Sequence, residues 1–323
     1  MTSVDTSVCA VVVTHRPDVD RLRGALARVR RQVDHLVVVD NGPDDVSRRL
    51  EPGVVVLSQP GNVGVAAAVN TGIAWARAHG STHVLLLDQD SWAQPGMVAA
   101  LVEASARLSR EHRVAAVGPR HFDPRLGRDA PFIEVAFPMS RKLFCASGTV
   151  RCDFLIGSGT LIALPVLDDV GPMDAGLFVD NVDLDWCFRA RARGYSVFGV
   201  GDATMEHLIG ERRASVLGAR VAQHRPERLY FITRNRLRMY RRGHTPGRWI
   251  AQDVPRVLLK VLVFGVLLGP RAENLRHLLR GLLDGVRDVS GPGPFAQPTT
   301  AQPTTGPADA GSAVTAGAAG VRR

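Results

Sequence analysis

Two aspartates, Asp88 and Asp90, follow a short apolar run and flank a single glutamine. The run, residues 84–87, is typical of a strand that is buried on both faces of a parallel sheet. In an extended chain, side chains two residues apart lie on the same side, so both carboxylates could contact one divalent cation or a nucleotide hydroxyl. Such pairs are also common in surface turns, where Asp caps the next helix. The rest of the sequence is needed to tell whether Asp88 and Asp90 belong to a turn or to a binding site.

A second group of carboxylates, Asp180, Asp183 and Asp185, opens a predicted helix. Its later turns carry arginines at 189, 191 and 193, and Gly194 ends it. This order of charges complements the helix dipole, so capping alone would explain it. Because residues two apart on a helix point in different directions, at most one of Asp183 and Asp185 faces a given site.

The elements that must position these residues alternate between strand and helix. Apolar runs predict strands at residues 8–13, 36–39, 54–57 and 84–87, and helices are predicted from residue 17 and over 62–79. This alternation predicts a doubly wound parallel sheet, in which ligands bind at the carboxyl ends of the strands. Thr14, Asp40 and Asp88 stand at those ends, so we expect them to converge.

The usual glycine-rich phosphate cradles are missing from the sequence. No G-x-G-x-x-G follows the first predicted strand, and no Walker lysine motif is found. A dinucleotide dehydrogenase or a P-loop enzyme is therefore disfavoured. If a nucleoside diphosphate binds here, a cation must hold its charge, and Asp88 and Asp90 are the carboxylates best placed to anchor that cation.

Composition indicates a globular protein with a sizeable core. The chain has 323 residues, of which 45% are hydrophobic, enough for one large or two intimate domains. Its beginning lacks the pattern of a signal peptide, so we expect a cytoplasmic location. The four cysteines show no C-x-x-C pairing and are expected to be reduced, with most of them in the core.

The net charge of +9 is concentrated in one stretch. Residues 211–248 contain eleven arginines against two glutamates. Such a cluster attracts phosphate in nucleic acid, an anionic bilayer or a diphosphate, or is simply a solvated helix face. Residues 225–242 predict an amphipathic basic helix, and the apolar residues 257–268 are too few to span a bilayer. That apolar segment is expected to be either a buried hairpin or a segment resting on a membrane.

The order and spacing of these motifs resemble family 2 glycosyltransferases of the GT-A fold, and within them bacterial rhamnosyltransferases that extend cell-surface polysaccharides. The resemblance covers about residues 8–291. The residues that carry it are 11–16 (VVVTHR), Asp40-Asn41-Gly42, Asn62 with Gly64, Asn70 and Gly72, 88–91 (DQDS), 157–160 (GSGT), 178–186 (FVDNVDLDW), His207, and Arg234-Asn235.

The resemblance implies a fold and a division of the chain. The fold would be α/β, with a Rossmann-like, mostly parallel sheet flanked by helices and a helical, basic C-terminal extension. Residues 1–207 would form the nucleotide-sugar-binding and catalytic domain. Residues 208–289 would form the extension on the acceptor or membrane side, and 290–323 a disordered tail, as their Pro, Thr, Ala and Gly content also indicates.

The resemblance also implies residue roles. Asp183 would be the catalytic base, although many relatives have Glu-Asp where this chain has Val182-Asp183. The remaining roles fall into three sets. Thr14, Asp40 and Asp88 would bind the nucleotide; Asp90 and His207 would hold Mg²⁺ or Mn²⁺; and Asp185, Trp186 and Arg234 would lie on the acceptor or diphosphate side. From the residues alone, the lone His207 is more often structural than a ligand.

The implied activity is inverting, metal-dependent transfer of rhamnose from dTDP-rhamnose to a polyprenyl-linked or growing glycan acceptor. A UDP-galactofuranose or other hexose donor is the nearest alternative. Rivals of another class are a basic nucleic-acid-binding protein and an inactive scaffold. We expect no nucleic-acid partner, because stacking on bases needs placed aromatic residues and would not explain the carboxylates. Peripheral contact with the anionic inner face of the cell membrane is expected instead.

Overall fold

The computed structural model describes residues 6–43, 45–207, 213–216, 219–222 and 225–295. The strands are β1 (Val8–Thr14), β2 (His35–Asp40), β3 (Val55–Ser58), β4 (His83–Asp88), β5 (Trp92–Ala93), β6 (Val114–Asp123), β7 (Arg128–Asp129), β8 (Phe132–Glu134), β9 (Arg141–Leu143), β10 (Thr149–Cys152), β11 (Leu161–Ala163), β12 (Ser196–Glu206), β13 (Arg213–Val216) and β14 (Ala219–Ala222). The helices are α1 (Val19–Arg30), α2 (Val65–Ala78), α3 (Met97–Leu108), α4 (Leu164–Val170), α5 (Val182–Ala192), α6 (Pro226–Tyr240), α7 (Gly247–Leu262) and α8 (Arg271–Val286).

A central sheet runs in the order β3-β2-β1-β4-β11-β6-β12-β10, with β5 on β12 and β7 on β6. The pairs β1–β2, β1–β4, β2–β3 and β6–β12 are parallel, whereas β11 and β10 pair antiparallel with their neighbours. The predicted mixed α/β fold with a mostly parallel sheet is therefore confirmed. The antiparallel strand β11 enters the middle of the sheet between β4 and β6.

All four predicted strands are present; β1, β2 and β4 are buried on both faces of the sheet, whereas the edge strand β3 is partly exposed. Along β1, Cys9 and Val11 pack into the apolar cluster under α2, α4 and α5. Ala10 and Val12 pack into the opposite cluster, under α1 and α3. Alternate residues thus face two different cores, which explains why the strand is a continuous apolar run.

Helix α1 begins at Val19, two residues after the predicted start at residue 17. Asp18 caps the helix by accepting a hydrogen bond from the Arg21 N–H. Leu22, Leu26 and Val29, spaced for one helix face, are all buried against the sheet. All four cysteines are free thiols and three of them are buried, as expected.

Three helices follow the sheet domain. The predicted basic helix at 225–242 is α6, which packs along α8. Residues 257–268 are not a hairpin: they continue α7 into a π-helical turn, Val263–Leu267. Within the described residues, no helix combines the length and hydropathy needed to cross a membrane. The domain boundary at residue 207 stays a prediction, and of the predicted tail only residues 290–295 lie within the described part.

The close approach of α2 to β1 depends on Gly72. A β-carbon added at Gly72 would collide with Val11 Cγ1 at the centre of the sheet. We therefore expect Gly72→Ala to lower the free energy of unfolding by about 1–3 kcal/mol, because the packed core must shift. Urea unfolding followed by circular dichroism measures this loss. Gly243→Ala is the matched control, since open space surrounds Gly243; equal stability of the two variants would contradict the argument.

Candidate active site

A cavity of about 520 Å³ opens at the carboxyl ends of β1, β2 and β4. Its walls come from those strand ends, the start of α2, the loop before α5 and the first turns of α6. Thr14, Asp88 and Asp90, all predicted from the sequence, line this cavity. The expected convergence of the strand ends is therefore present in the structure.

Asp88, Asp90 and His207 form a cluster at this edge of the sheet. Each offers one ligand atom, and these atoms lie within 4.8 Å of one another. His207 Nε2 lies 3.9 Å from Asp88 Oδ2. His207 follows β12, which pairs with β6 and β5, so the sheet topology brings it to the end of β4 from far along the chain. Two carboxylates and an imidazole form a donor set suited to Mg²⁺ or Mn²⁺.

Two serines support this cluster from beneath. Ser158 Oγ accepts a hydrogen bond of 2.9 Å from the Asp88 N–H and lies 2.5 Å from Ser91 Oγ. Ser91 Oγ in turn lies 3.4 Å from His207 Nδ1. The 157–160 segment thus positions Asp88 through Ser158.

The sequence pattern did not single out His121, which holds the same segment. Its Nε2 lies 2.9 Å from the Ser158 carbonyl oxygen, and burial lowers the pKa of His121 to about 4. The ring is therefore neutral near pH 7 and donates from Nε2. A lone histidine within a strand carries no sequence signal of such a contact.

Asp183 lies in the first turn of α5, with Asp180 just before the helix. The Asp183 carboxylate accepts hydrogen bonds from the Gly157 N–H at 2.9 Å and the Leu184 N–H at 2.8 Å. Burial nevertheless raises the pKa of Asp183, and the charge of Asp180 adds to this rise. Asp183 also interacts electrostatically with Asp88. This carboxylate therefore has a greater proton affinity than an ordinary aspartate.

The loop before α5 has an unusual backbone. Phe178, Asp180 and Asn181 all have φ between 62° and 65°, a region that residues other than glycine rarely adopt. A β-carbon added to Gly64 would lie 2.5 Å from Phe178 Cδ2, so the loop rests directly on the start of α2. The strained loop thus forms the cavity wall opposite the ends of β1 and β4.

Two residues of α6 hold this loop in place. The Asn235 Nδ2 group donates to the carbonyl oxygens of Leu177, Val179 and Asp180 at 2.7–2.9 Å. Arg234 is completely buried and donates to the carbonyl oxygens of Gly176, Leu177 and Gly291. Arg234 therefore positions the loop and does not line the cavity, although it was predicted to lie on the acceptor or diphosphate side.

The other two residues predicted on the acceptor side also lie away from the cavity. Asp185 is fully buried and accepts hydrogen bonds from Arg242 Nη1 at 2.5 Å and His244 Nε2 at 2.8 Å. Although burial opposes it, these partners lower the pKa of Asp185. Trp186 is 1% exposed, and its Nε1–H donates to the Gly171 carbonyl. The contacts of Asp185 and Trp186 are structural. Of Asp183 and Asp185, only Asp183 contacts the 157–160 segment.

Asp40 differs from its predicted place in the nucleotide pocket. It is 2% exposed, and its carboxylate accepts hydrogen bonds from Thr14 Oγ1, the Gly42 N–H and the Val46 N–H at 3.1–3.2 Å. The neighbouring Asn41 lines the cavity instead. Asp40 therefore stabilises the turn that follows β2.

Several cavity residues were not predicted from the sequence. Arg228 binds the Asp180 carboxylate through Nε and Nη2 at 2.9–3.1 Å. Gln89 Oε1 accepts from the His15 N–H at 2.8 Å, between the ends of β4 and β1. Phe231 is stacked on Phe178, with ring centroids 5.1 Å apart. The basic amphipathic pattern of α6 indicated a charged face, but it did not show which residues reach the cavity.

Comparisons with known proteins agree on one family. The sequence profile of glycosyl transferase family 2 matches residues 9–143. The dTDP-rhamnosyl transferase RfbF of Shigella flexneri is 27% identical over 300 residues, which cover 90% of this chain and 99% of that protein. The galactofuranosyltransferase GlfT1 of Mycolicibacterium smegmatis is 32% identical over 262 residues, covering 71% of this chain and 81% of GlfT1.

Solved structures show the same architecture at low identity. GalNAc-T7 in complex with UDP, GalNAc and Mn²⁺ superposes with a TM-score of 0.55 at 13% identity; the match covers 88% of this chain and 56% of that one. This chain thus spans little more than half the length of the GalNAc-T7 chain. S. aureus TarS 1-349 superposes with a TM-score of 0.52 at 16% identity, covering 88% of this chain and 81% of that one.

The fold and the site define a glycosyltransferase with the GT-A architecture. The chain belongs to glycosyl transferase family 2.

The buried carboxylate of Asp40 gives a test of its structural role. Asparagine has one acceptor oxygen where aspartate has two, so Asp40→Asn leaves at least one of its three buried donors unpaired. We expect the ligand-free protein to lose about 2 kcal/mol of unfolding free energy, measured in urea. Asp20→Asn, at an exposed side chain on α1, should leave the unfolding midpoint unchanged. If Asp40→Asn is as stable as that control, a structural role for Asp40 is ruled out.

Proposed function

We propose that this glycosyltransferase transfers rhamnose from dTDP-rhamnose, with inversion, to a lipid-linked or growing cell-surface glycan. The observation that carries the proposal is the cluster of Asp88, Asp90 and His207, whose two carboxylates line the cavity at the strand ends. The choice of donor is supported by the similarity to RfbF over 90% of this chain. The reaction would take place at a membrane surface, where a lipid-linked acceptor resides.

The cluster is proposed to hold a divalent cation, Mg²⁺ or Mn²⁺. Asp88, Asp90 and His207 supply two hard oxygen donors and one imidazole, which fit either ion. When bound, such an ion offsets the negative charge that develops on the departing nucleoside diphosphate.

The remaining cavity walls suit a nucleotide. Thr14, Asn41 and Asn62 present hydroxyl and amide groups for the base and ribose. Arg228 brings a guanidinium to the same cavity, beside Asp180, where it would attract the diphosphate. Phe178 and Phe231 supply the apolar part of the wall.

Asp183 is proposed to be the general base. The acceptor hydroxyl must lose its proton as its oxygen attacks the anomeric carbon of the donor, and an ionised Asp183 would accept that proton. Hydrogen bonds from the Gly157 and Leu184 N–H groups fix the carboxylate, and burial raises the pKa of Asp183, which increases its proton affinity. In-line attack from the face opposite the diphosphate inverts the anomeric centre.

A galactofuranosyl or other hexosyl transfer from a UDP-sugar is the second candidate. It is supported by the 32% identity to GlfT1. Both candidates use the same cavity, cation and base, and they differ in the sugar and pyrimidine nucleotide that the cavity accepts.

Isothermal titration calorimetry with a panel of nucleotide sugars tests the donor and the cation together. We expect dTDP-rhamnose to bind more tightly than UDP-galactofuranose, UDP-glucose and UDP-galactose, and to bind better with Mn²⁺ than with EDTA. Asp90→Ala should remove this Mn²⁺ dependence, because it deletes one proposed ligand. The control is Asp168→Asn, at an exposed aspartate paired with Arg77.

The outcomes of the panel separate the candidates. Preference for UDP-galactofuranose would replace the donor but keep the site. Undiminished Mn²⁺-dependent binding by Asp90→Ala would exclude Asp90 as a ligand. If no nucleotide sugar binds while the protein is retained on nucleic acid, the basic-protein alternative replaces the whole proposal.

The Asp183→Asn variant tests the base. We expect donor affinity to stay within twofold of wild type while kcat falls by about 10²- to 10⁴-fold. In the wild type, kcat should fall as the pH decreases through the raised pKa of Asp183, because only the ionised carboxylate accepts the proton. Steady-state rates across a pH series measure both effects. Near-normal turnover by Asp183→Asn, or an unchanged acid limb in that variant, would eliminate Asp183 as the base.

A further inference from the structure

The outward side of α7 and the following π-helical turn is apolar. Val254, Leu258, Leu259, Leu262, Val266 and Leu267 are 39–65% exposed. They recur at helical spacing along one face, so they form one stripe on the surface. Single exposed leucines are ordinary, but a contiguous apolar stripe marks an interaction surface.

The inward side of α7 carries two bonded polar residues beside the buried Trp249 and Val257. Gln252 Oε1 accepts from the Ser140 N–H and Oγ–H at 2.9 Å, and Asp253 Oδ2 accepts from Tyr240 Oη at 2.6 Å. Arg236 Nε lies 2.7 Å from the same Asp253 oxygen. These buried polar contacts fix the rotation of α7, so that the apolar stripe faces outward.

Helix α8 likewise has bonded polar residues on its buried face, beside the buried Leu278. Its buried face carries Asn274 and Asp284, which bond to the carbonyls of Phe264 and Leu268 and to Tyr230 Oη, respectively. Its exposed face carries a second stripe, made of Leu275, Leu279, Leu283 and Val286. A β-carbon added to Gly265 would lie 3.3 Å from Leu275 Cδ1, so the two stripes meet. We call the ten exposed residues of both stripes the apolar ridge.

A third exposed apolar segment adjoins α7. Phe137 and Met139 are 66% and 75% exposed, and the next residue, Ser140, is the one bonded to Gln252. Aromatic and aliphatic side chains of this kind are typical of segments that enter the boundary between lipid headgroups and acyl chains.

Positive charge accompanies the apolar ridge. Residues 247–287 contain seven Lys and Arg residues and three acidic residues. Two of those acidic residues, Asp253 and Asp284, are buried in the contacts described above. Exposed arginines lie beside the leucines of both helices: Arg256, Arg271, Arg276, Arg280 and Arg287. This charge complements an anionic lipid surface, whereas a second copy docked on the same face would bring like charges together.

We propose that the apolar ridge docks this protein on an anionic lipid bilayer, with α7 and α8 lying in the plane of the interface. The leucines enter the headgroup region and the flanking arginines contact lipid phosphates. The docking itself does not depend on the identity of the sugar donor.

The ridge lies next to the cavity. Lys260, on the inward side of α7, interacts electrostatically with Asp180 and Arg228, and Arg228 lines the cavity. A bilayer against the ridge would therefore lie beside the site. The further statement that docking presents the site to a lipid-linked acceptor rests on the proposed function.

Vesicle flotation with the full-length protein tests the docking without donor or acceptor. We expect the wild type to float with vesicles of phosphatidylethanolamine and phosphatidylglycerol, and to bind less as salt is raised. Leu258→Glu/Leu262→Glu should lower the vesicle partition coefficient by at least ~100-fold, since two leucines leave the interface and two negative charges oppose the lipid. Its circular dichroism spectrum and urea unfolding midpoint should match those of the wild type, which shows that it is folded.

The matched control is Ala27→Glu/Val55→Glu, which adds the same charges on α1 and β3 and should float as the wild type does. Failure of the wild type to float overturns the proposal, as does equal flotation of the two double variants. Equal binding to pure phosphatidylcholine overturns the anionic specificity. If the wild type is a dimer that does not bind vesicles, and the ridge variant is a monomer, the ridge instead contacts a second copy of the chain. None of these outcomes depends on which sugar is transferred, so they are distinct from failure of the proposed function.

Discussion

The candidate active site depends on the hydrogen bonds that Asn235 and Arg234 donate to the loop before α5. Three residues of that loop have positive φ, which costs about 1–3 kcal/mol each unless the surroundings enforce it. The side-chain amide of Asn235 donates to three main-chain carbonyl oxygens. Arg234 donates to three main-chain carbonyl oxygens as well. These donors hold the loop in the conformation that closes the cavity and leads into α5, with Asp183 in the first turn of that helix.

This arrangement makes the C-terminal helices part of the site. Helix α6 supplies the loop contacts on its buried face and Arg228 and Phe231 on the cavity side. Helix α8 packs on α6, and the turn before it is held by Asn274. A bilayer bound at α7 and α8 would therefore be connected to the cavity through α6, which packs on α8 and lines the cavity.

Exposed leucines opposite buried, bonded polar residues distinguish the last two helices from α1 and α3. In α1 and α3 the apolar residues face the sheet, as in an ordinary soluble domain. In α7 and α8 the leucines face outward, while the buried face holds Gln252, Asp253, Asn274 and Asp284 in hydrogen bonds or ion pairs. Bonded polar groups of this kind fix the rotation of a helix, since turning it would leave them buried without partners.

The sequence by itself determined the first half of the fold and the place of the ligand edge. Strands β1, β2 and β4 and helices α1 and α2 were predictable, because their burial imposes local patterns of hydrophobicity and because polar residues at parallel strand ends must share one edge. Only the tertiary structure decided the rest. The antiparallel insertion of β11, the approach of His207 to Asp88, the burial of Asp40 and Arg234, and the outward rotation of the leucines in α7 all depend on contacts between residues far apart in the chain. A local sequence pattern shows whether a side chain is charged or apolar. Which residue that side chain contacts depends on the distant element that packs against it.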